Sequence, residues 1–137
     1  MAIFLLDTSV FTELARASPR RKVLAKYQQY AQRLITAAPV IHELWFGVER
    51  LPRSERRDNL ERFLREVVSS IPCLPYGRRA ARWHARERAR LAAAGRTPPF
   101  VDGQIASIAA VNEATIVTAN VDHFALFSGV AVENWFR

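Results

Sequence analysis

Cysteine is nearly absent from this sequence, and long apolar segments are missing. The chain of 137 residues contains one cysteine, Cys73, so no disulfide can form within it. This usage fits a reducing compartment, and we expect Cys73 to be a small buried apolar side chain. No apolar run approaches the ~20 residues that cross a bilayer, and Met1–Asp7 lacks the basic start and longer apolar region of a signal peptide. We therefore expect a cytoplasmic protein that does not enter a membrane.

Motifs for nucleotide binding and zinc proteolysis are also missing. The sequence has no GxGxxG and no P-loop, which argues against dinucleotide and NTP chemistry. His42 and Glu43 begin like a zinc-protease helix, but position 46 is Phe rather than His. An acid–base pair for metal-free RNA cleavage would have to come from His42, His84 and His123, which are scattered along the chain.

Acidic residues are outnumbered, since the chain has 13 Asp and Glu against 20 Lys and Arg and a formal net charge of +7. The basic residues concentrate in the segments 16–26, 50–65 and 78–96. A positive field attracts polyanions, which points first to nucleic acid and second to acidic proteins. Because acidic residues are interspersed among the basic ones, ordinary solvated helix faces are the alternative interpretation.

Five short apolar segments predict strands, and segments with helical spacing separate them. Ala2–Leu6 is apolar without interruption, which is typical of a strand buried on both faces of a parallel sheet. Two prolines within Ile71–Tyr76 indicate an edge strand. The alternation of strands and helices predicts an α/β fold with a mostly parallel sheet, in one domain over residues 1–137. The other predicted strands are Leu34–Ala37, Thr115–Thr118 and Val130–Val132.

Local signals mark the ends of several predicted helices. Thr8 or Ser9 can cap a helix that begins near Val10, and Ser54 can cap a charged helix. Pro39 suits the first turn of another helix. The remaining predicted helices run from Pro19 towards Gln32, from about Arg78 to Ala94, and from Val101 to Val111.

The aromatic residues have structural interpretations. We expect Trp45 and Phe46 to lie in the core or in a dimer interface, rather than to stack on RNA bases. We expect Trp135 and Phe136 to pack the C-terminal segment onto the rest of the domain.

Three acidic residues stand where such a fold forms a crevice. Ligands of open α/β sheets bind beyond the carboxyl ends of the strands, and Asp7 directly follows the first strand. Glu43 lies beside the apolar face of its helix, and Gly47 one turn later leaves room for an approaching group. Asp102 opens a helix of small and apolar residues, where the helix dipole favours an acid. Each of these acids also has a purely structural interpretation. Asp7 can be a helix cap, Glu43 a glutamate on a helix surface, and Asp102 an acid in the first turn of a helix.

A polar segment, Thr118–Phe124, follows the predicted fourth strand. Asn120 and Asp122 could both reach the same crevice, with Phe124 packed beneath them. Because Asn and Asp are frequent in turns, an ordinary turn is the alternative interpretation.

Converging carboxylates imply a bound cation. Two like charges ~4 Å apart repel by ~4 kcal/mol at an effective dielectric constant of ~20, so three acids together need a partner. A set of oxygen ligands favours Mg²⁺ or Mn²⁺. Such an ion lowers the pKa of bound water, which suits the hydrolysis of a phosphodiester. An acidic site in a basic protein therefore predicts a metal-dependent nuclease.

Four sequence blocks carry a resemblance to a known family. The blocks are Phe4–Val10, Val40–Val48, Asp102–Ala106 and Ile116–Phe124, and together they span nearly the whole chain. In this order and spacing they resemble the PIN domain, and specifically the VapC-type toxins of bacterial toxin–antitoxin pairs.

The resemblance implies a three-layer α/β/α fold with a mostly parallel central sheet of four to five strands. It also implies cleavage of RNA that depends on Mg²⁺ or Mn²⁺. Asp7 and Asp102 would hold the principal ion, and Glu43 would bind it directly or through water. The ion would activate water for in-line attack on phosphorus.

The resemblance assigns supporting roles to four further residues. Asn120 occupies a fourth catalytic position at which many PIN domains carry Asp, and Asp122 could complete the site in its place. Ser9 and Thr118 match positions that often carry polar groups near the metal.

The same resemblance implies partners. A VapB-like antitoxin would neutralise a homodimer by placing its C-terminal segment in the active-site groove. The implied substrates are tRNA or ribosomal RNA, and Arg16, Arg82 and Arg86 are candidates for holding the RNA backbone. Two alternatives stay open, namely a PIN nuclease that serves RNA maturation and a non-catalytic basic RNA-binding module. The binding module would show affinity that depends steeply on salt but not on metal.

Overall fold

A five-stranded parallel sheet forms the centre of the computed structural model, which describes residues 1–137. The strand order is β3-β2-β1-β4-β5, and every pair is parallel. This confirms the predicted α/β fold with a parallel sheet. The strands are β1 (Ile3–Leu6), β2 (Leu34–Ala37), β3 (Cys73–Leu74), β4 (Ala114–Val117) and β5 (Ala131–Glu133).

The central strand β1 is buried along almost its whole length, as its unbroken apolar sequence predicts. Leu5 and Leu6 are fully buried, and Phe4 is nearly so. In the register, Leu5 pairs with Ile35 on one side and Ile116 on the other. Parallel strands covered on both faces show this continuous burial, because helices lie above and below the sheet.

Seven helices surround the sheet. They are α1 (Thr8–Leu14), α2 (Arg21–Gln29), α3 (Ala38–Glu49), α4 (Glu55–Glu66), α5 (Arg78–Ala93), α6 (Phe100–Val111) and α7 (Val121–Phe124). The strand order reverses direction at β1, since β2 and β3 lie on one side of it and β4 and β5 on the other. Such a switch point opens a crevice at the carboxyl ends of β1 and β4.

The start of α1 differs from the prediction. The helix begins at Thr8, and Asp7 stands at the cap position with extended backbone angles and no capping hydrogen bond from its side chain. Thr8 and Ser9 do not cap the helix, because their hydroxyl groups bond to groups elsewhere in the chain, namely Glu43 and the segment after β4. Ser54 does cap α4 as predicted, since its hydroxyl accepts a hydrogen bond from the Arg57 N–H at 3.1 Å.

The predicted burial of Cys73 is wrong, and the expectation for Trp135 is confirmed. Cys73 is exposed because β3 is a two-residue strand at the edge of the sheet. Trp135 is fully buried against Phe4, with ring centroids 5.4 Å apart, and this contact fixes the C-terminal segment on the core. Phe46 is 52% exposed, so it does not belong to the core. No helix is both long and apolar enough to span a membrane.

Candidate functional site

The site lies where the carboxyl ends of β1 and β4 meet. Asp7 follows β1, and its N–H donates to the Val117 carbonyl at 3.0 Å. Thr118 follows β4, and its N–H donates to the Glu133 carbonyl at 3.1 Å. Both residues therefore continue the sheet hydrogen bonding for one position beyond the strands. This fixes their side chains side by side at the crevice.

Asp7 is the most buried acid of the site, with 7% of its surface exposed. The Thr118 hydroxyl donates to Asp7 Oδ2 at 2.8 Å. Burial raises the pKa of Asp7, and the negative charge of Glu43 raises it further. The hydrogen bonds from Thr118 and from the Thr8 backbone oppose this rise in pKa. The folded chain thus holds a carboxylate where its negative charge is poorly solvated.

A network of hydroxyl groups holds this corner together. Thr118 Oγ1 also accepts the Asn120 N–H at 3.0 Å, and Ser9 Oγ accepts the Ala119 N–H at 3.0 Å. The two hydroxyl oxygens of Ser9 and Thr118 lie 3.4 Å apart. These bonds connect the first turn of α1 to the loop after β4. Thr118 therefore contacts Asp7 directly, and Ser9 is connected to Asp7 through Thr118.

Glu43 reaches the same crevice from α3. It is solvent-exposed, and its Oε2 accepts a hydrogen bond from the Thr8 hydroxyl at 2.7 Å. The negative charge of Glu43 raises the pKa values of both Asp7 and Asp102, so Glu43 faces the same crevice as those two acids. Sequence reasoning missed this role of Thr8, because a threonine before a helix is ordinarily interpreted as a cap.

Asp102 lies in the first turn of α6, and it is the acid of the site that most clearly lacks a binding partner. Its side chain is 16% exposed, and its Oδ2 atom is buried without a hydrogen-bond partner. Burial raises the pKa of Asp102, and the charges of Asp7 and Glu43 add to that effect. A buried carboxylate oxygen without a partner is costly, so this atom requires a positively charged or hydrogen-bonding ligand.

His123 is a neighbour of Asp102 that the sequence analysis did not identify. Its Nδ1 atom lies 3.8 Å from Asp102 Oδ2, and its charge lowers the pKa values of both Asp102 and Asp7. The side chains of Asn120 and Asp122 are exposed and make no hydrogen bond or ion pair. The sequence did offer one indication of the position of His123, because this residue follows β4 and therefore lies at the same edge of the sheet as the acids.

Asp7, Glu43 and Asp102, hereafter the acidic triad, offer only oxygen atoms to a ligand. No three His, Cys, Asp or Glu side chains are grouped tightly enough to hold a metal ion in this arrangement. The donor chemistry nevertheless fits a hard divalent cation, because such ions prefer carboxylate oxygens. A single cation in the crevice would give the Asp102 oxygen a partner and would lower the pKa values of Asp7 and Asp102.

A groove of about 880 Å³ leads away from Glu43 between α1, α3 and α4. Its lining is partly apolar, through residues such as Leu60 and Phe63, and partly basic, through Arg16 and Arg50. Arg16 also forms a 3.3 Å ion pair with Glu13 at the end of α1.

The other two predicted RNA-binding arginines lie elsewhere. Arg82 and Arg86 are exposed on α5 and form no ion pair with the acidic triad. Of the three candidates, the structure therefore places only Arg16 in the groove that reaches Glu43.

Comparison with known proteins identifies relatives of the chain. Residues 4–129 match the PIN domain. A VapC ribonuclease, Y4jK, of Sinorhizobium fredii is 31% identical over 126 residues, covering 89% of this chain and 90% of the relative. The structure of FitAcB from Neisseria gonorrhoeae superposes with a TM-score of 0.87 at 26% identity, covering 98% of this chain and 99% of that one. VapBC-5 from Mycobacterium tuberculosis, a member of the VapBC family of toxin–antitoxin systems, gives a TM-score of 0.72 at 30% identity, with 98% of each chain covered.

Proposed function

The chain belongs to the PIN-domain family, and we propose that it is a metal-dependent endoribonuclease, the toxin of a toxin–antitoxin pair. The observation that carries the proposal is the buried, unpartnered Oδ2 of Asp102 in a crevice shared with two other carboxylates. The chain has a net charge of +7, which suits binding to a polyanion. The acidic triad in this basic chain is suited to hold a cation beside that polyanion. The VapC ribonuclease relative supports RNA as that polyanion.

Mg²⁺ or Mn²⁺ would be held by Asp7 and Asp102, with Glu43 as a third ligand. When bound, the ion supplies a nucleophilic water and neutralises charge on the phosphate. Thr118 keeps Asp7 in place through its 2.8 Å hydrogen bond, and Thr8 does the same for Glu43 at 2.7 Å. These two hydroxyl groups orient the carboxylates, as outer partners do in metal sites generally.

The loop after β4 supplies the remaining groups. His123 Nδ1 lies 3.8 Å from Asp102 Oδ2, where a protonated imidazole would offset part of the negative charge of the triad. Asn120 and Asp122 are both exposed to solvent on this loop. We assign Asn120 the fourth position of the site, with Asp122 as its alternative.

The groove between α1, α3 and α4 is the proposed seat of the antitoxin. It combines apolar and basic side chains and ends at Glu43, so it suits an amphipathic segment with acidic groups. The M. tuberculosis relative belongs to a toxin–antitoxin family, which supports a VapB-like partner. We further propose that the chain acts as a homodimer on tRNA or ribosomal RNA.

The test is incubation of the purified protein with total RNA, and then with defined tRNA and ribosomal RNA, in Mg²⁺ or Mn²⁺. We expect cleavage that EDTA and the Asp102→Asn substitution both abolish. RNA that stays intact in every case, but binds equally well without metal, would identify a non-catalytic RNA-binding module. Cleavage without poor growth on expression would instead favour an RNA-maturation enzyme.

A further inference from the structure

A buried histidine packs against the first turn of α6. His84 on α5 is only 3% exposed, and its ring centroid lies 4.7 Å from that of Phe100, the first residue of α6. A Cβ added to Gly103 would collide with His84 Nε2, so the backbone of Gly103 lies directly against the imidazole. Phe100 and Gly103 are three positions apart and therefore share one face of the helix. The histidine ring thus contacts the first turn of α6 at two points.

Asp102 projects from the same turn in another direction. Successive residues of an α-helix are rotated by about 100°, so the Asp102 side chain points away from the face that carries Phe100 and Gly103. His84 therefore lies behind the carboxylate and contacts its backbone support rather than its oxygens. Because Gly103 is the next residue in the chain, any displacement of its backbone moves Asp102 as well.

The start of α6 lacks the side-chain cap that ordinarily holds a helix start. Its cap position is Pro99, and no side chain accepts a hydrogen bond from the first turn. The preceding residues 92–97 are all exposed. An uncapped first turn leaves backbone N–H groups without partners and frays easily. The contact with His84 therefore has a larger share in fixing this turn than it would have at a capped helix.

His84 is itself held in one orientation. Its Nδ1 atom is hydrogen-bonded to the Tyr76 hydroxyl at 2.8 Å, and Tyr76 lies in the segment between β3 and α5. Burial, together with the charge of Arg88, lowers the pKa of His84, so the ring is neutral at neutral pH. The imidazole thus acts on α6 through its shape and its fixed orientation.

We propose that His84, oriented by Tyr76, is a positioning residue of the metal site, which sets the place of the first turn of α6 and thereby the direction of the Asp102 carboxylate. The inference rests on the proposed function, because it takes Asp102 as a ligand of a divalent cation. Mg²⁺ demands near-ideal ligand geometry, so a displaced Asp102 should bind it more weakly even in a folded protein. Glycine at position 103 belongs to the same arrangement, since the ring occupies the space of a Cβ.

The experiment measures Mn²⁺ binding to the purified protein without RNA, from the loss of the EPR signal of the free ion. Outer partners of metal ligands contribute about 10- to 100-fold in metal affinity, so His84→Ala should weaken Mn²⁺ binding by about 10-fold. Tyr76→Phe keeps the histidine ring and removes only the hydroxyl group, so it should weaken binding by a smaller factor. All measurements are made well below the Tm of each variant.

Ile108 provides a matched control on the same helix. It is fully buried and lies five positions after Gly103, outside the first turn of α6. Ile108→Ala corresponds to His84→Ala as a severe change, and Ile108→Val corresponds to Tyr76→Phe as a mild one. Both control variants should lower the Tm and leave the Mn²⁺ affinity unchanged. Equal losses of Mn²⁺ affinity in the two series would overturn the proposal, because any loosening of α6 would then suffice.

A double variant tests the contact itself. Gly103→Ala should weaken Mn²⁺ binding, because its methyl group pushes the first turn away from the His84 ring. Adding His84→Ala removes that collision, so the double variant should bind Mn²⁺ more tightly than Gly103→Ala alone. Residues that act independently would instead give losses that add. Additive losses would therefore contradict the proposed role of this contact.

The two proposals fail in distinguishable ways. If the wild type cleaves RNA in Mg²⁺ while folded His84→Ala and Tyr76→Phe bind Mn²⁺ as tightly as it does, the positioning role is refuted and the ribonuclease stands. If both variants lose Mn²⁺ affinity and the control variants keep it, but the wild type never cleaves RNA, the positioning role stands and the proposed hydrolysis fails.

Discussion

Replacing Thr118 with valine removes one hydroxyl group while leaving the size of a fully buried side chain nearly unchanged. That hydroxyl donates to Asp7 Oδ2 at 2.8 Å and accepts the Asn120 N–H at 3.0 Å. Asn120 is exposed, so water can replace the second bond. Asp7 is buried, so its carboxylate oxygen loses a partner that water replaces poorly.

The expected loss of stability follows from the hydrogen bond between Thr118 and Asp7. A hydrogen bond to a charged group contributes ~1.5–3 kcal/mol, so Thr118→Val should lower the free energy of unfolding by roughly 2 kcal/mol at neutral pH. With an entropy of unfolding of ~2.1 cal/mol/K per residue, or ~0.3 kcal/mol/K for a chain of this length, the Tm should fall by roughly 7 °C.

The same substitution should change the pH dependence. The Thr118 hydrogen bond lowers the pKa of Asp7 against the effect of burial, so its loss raises that pKa further. A carboxyl whose folded pKa lies above its unfolded pKa destabilises the folded state increasingly as the pH rises above the unfolded pKa, and fully above the folded pKa. The stability deficit of Thr118→Val should therefore shrink as the pH falls through the folded pKa of Asp7. The acidic limb of the pH–rate profile should move to higher pH.

Thermal melts and cleavage rates across the pH range test this reasoning. Thr118→Ser is the control, because it keeps the hydroxyl and loses only a methyl group, at a cost of ~1 kcal/mol. Its acidic limb should match that of the wild type. If Thr118→Val melts at the wild-type temperature with an unshifted acidic limb, the hydroxyl does not support Asp7.

Three further predictions follow from other contacts. Gly103→Ala places a methyl group against the buried His84 ring, so it should lower the free energy of unfolding by ~1–3 kcal/mol in denaturant titrations; wild-type stability would show that the ring yields freely. The hydrogen bond from Arg90 lowers the pKa of Glu87. The stability that this pair contributes is therefore fully present above the pKa of Glu87 in the unfolded chain, and it is lost as the pH falls through the pKa of Glu87 in the folded chain. Glu87→Gln should therefore destabilise the protein more at pH ~7 than at pH ~3, and an equal deficit at both values would contradict this. The raised pKa of Asp102 destabilises the metal-free fold at neutral pH, so Asp102→Asn in EDTA should melt above the wild type, whereas a lower Tm would indicate that its carboxylate is already compensated.

Local patterns predicted the elements of the fold because each pattern reflects burial of its own segment. The unbroken apolar run of β1 indicated a central strand, and the two prolines beside β3 indicated an edge. Ser54 capped its helix because it has no competing partner nearby in the fold. The carboxyl end of β1 then located Asp7 correctly, since the crevice of an α/β sheet follows from topology alone.

The errors concern contacts between distant segments. Thr8 looks like a helix cap in sequence, yet its hydroxyl bonds to Glu43, which is 35 positions away. His123 lies 3.8 Å from Asp102 across 21 positions, and no local periodicity reports that approach. Cys73 has an apolar character that favours burial, but the short edge strand leaves it exposed. Partners of this kind are decided by packing between elements, which a single sequence does not display.

We propose that the acidic triad holds a divalent cation that supports RNA hydrolysis. Its most direct test is the single-turnover cleavage rate of one RNA substrate as the Mg²⁺ concentration is varied, for the wild type and for Asp102→Asn. We expect a rate that rises from zero in EDTA to a plateau for the wild type, and no measurable cleavage by the variant at any Mg²⁺ concentration. Cleavage that persists in EDTA, or a variant that reaches the wild-type plateau, would contradict it.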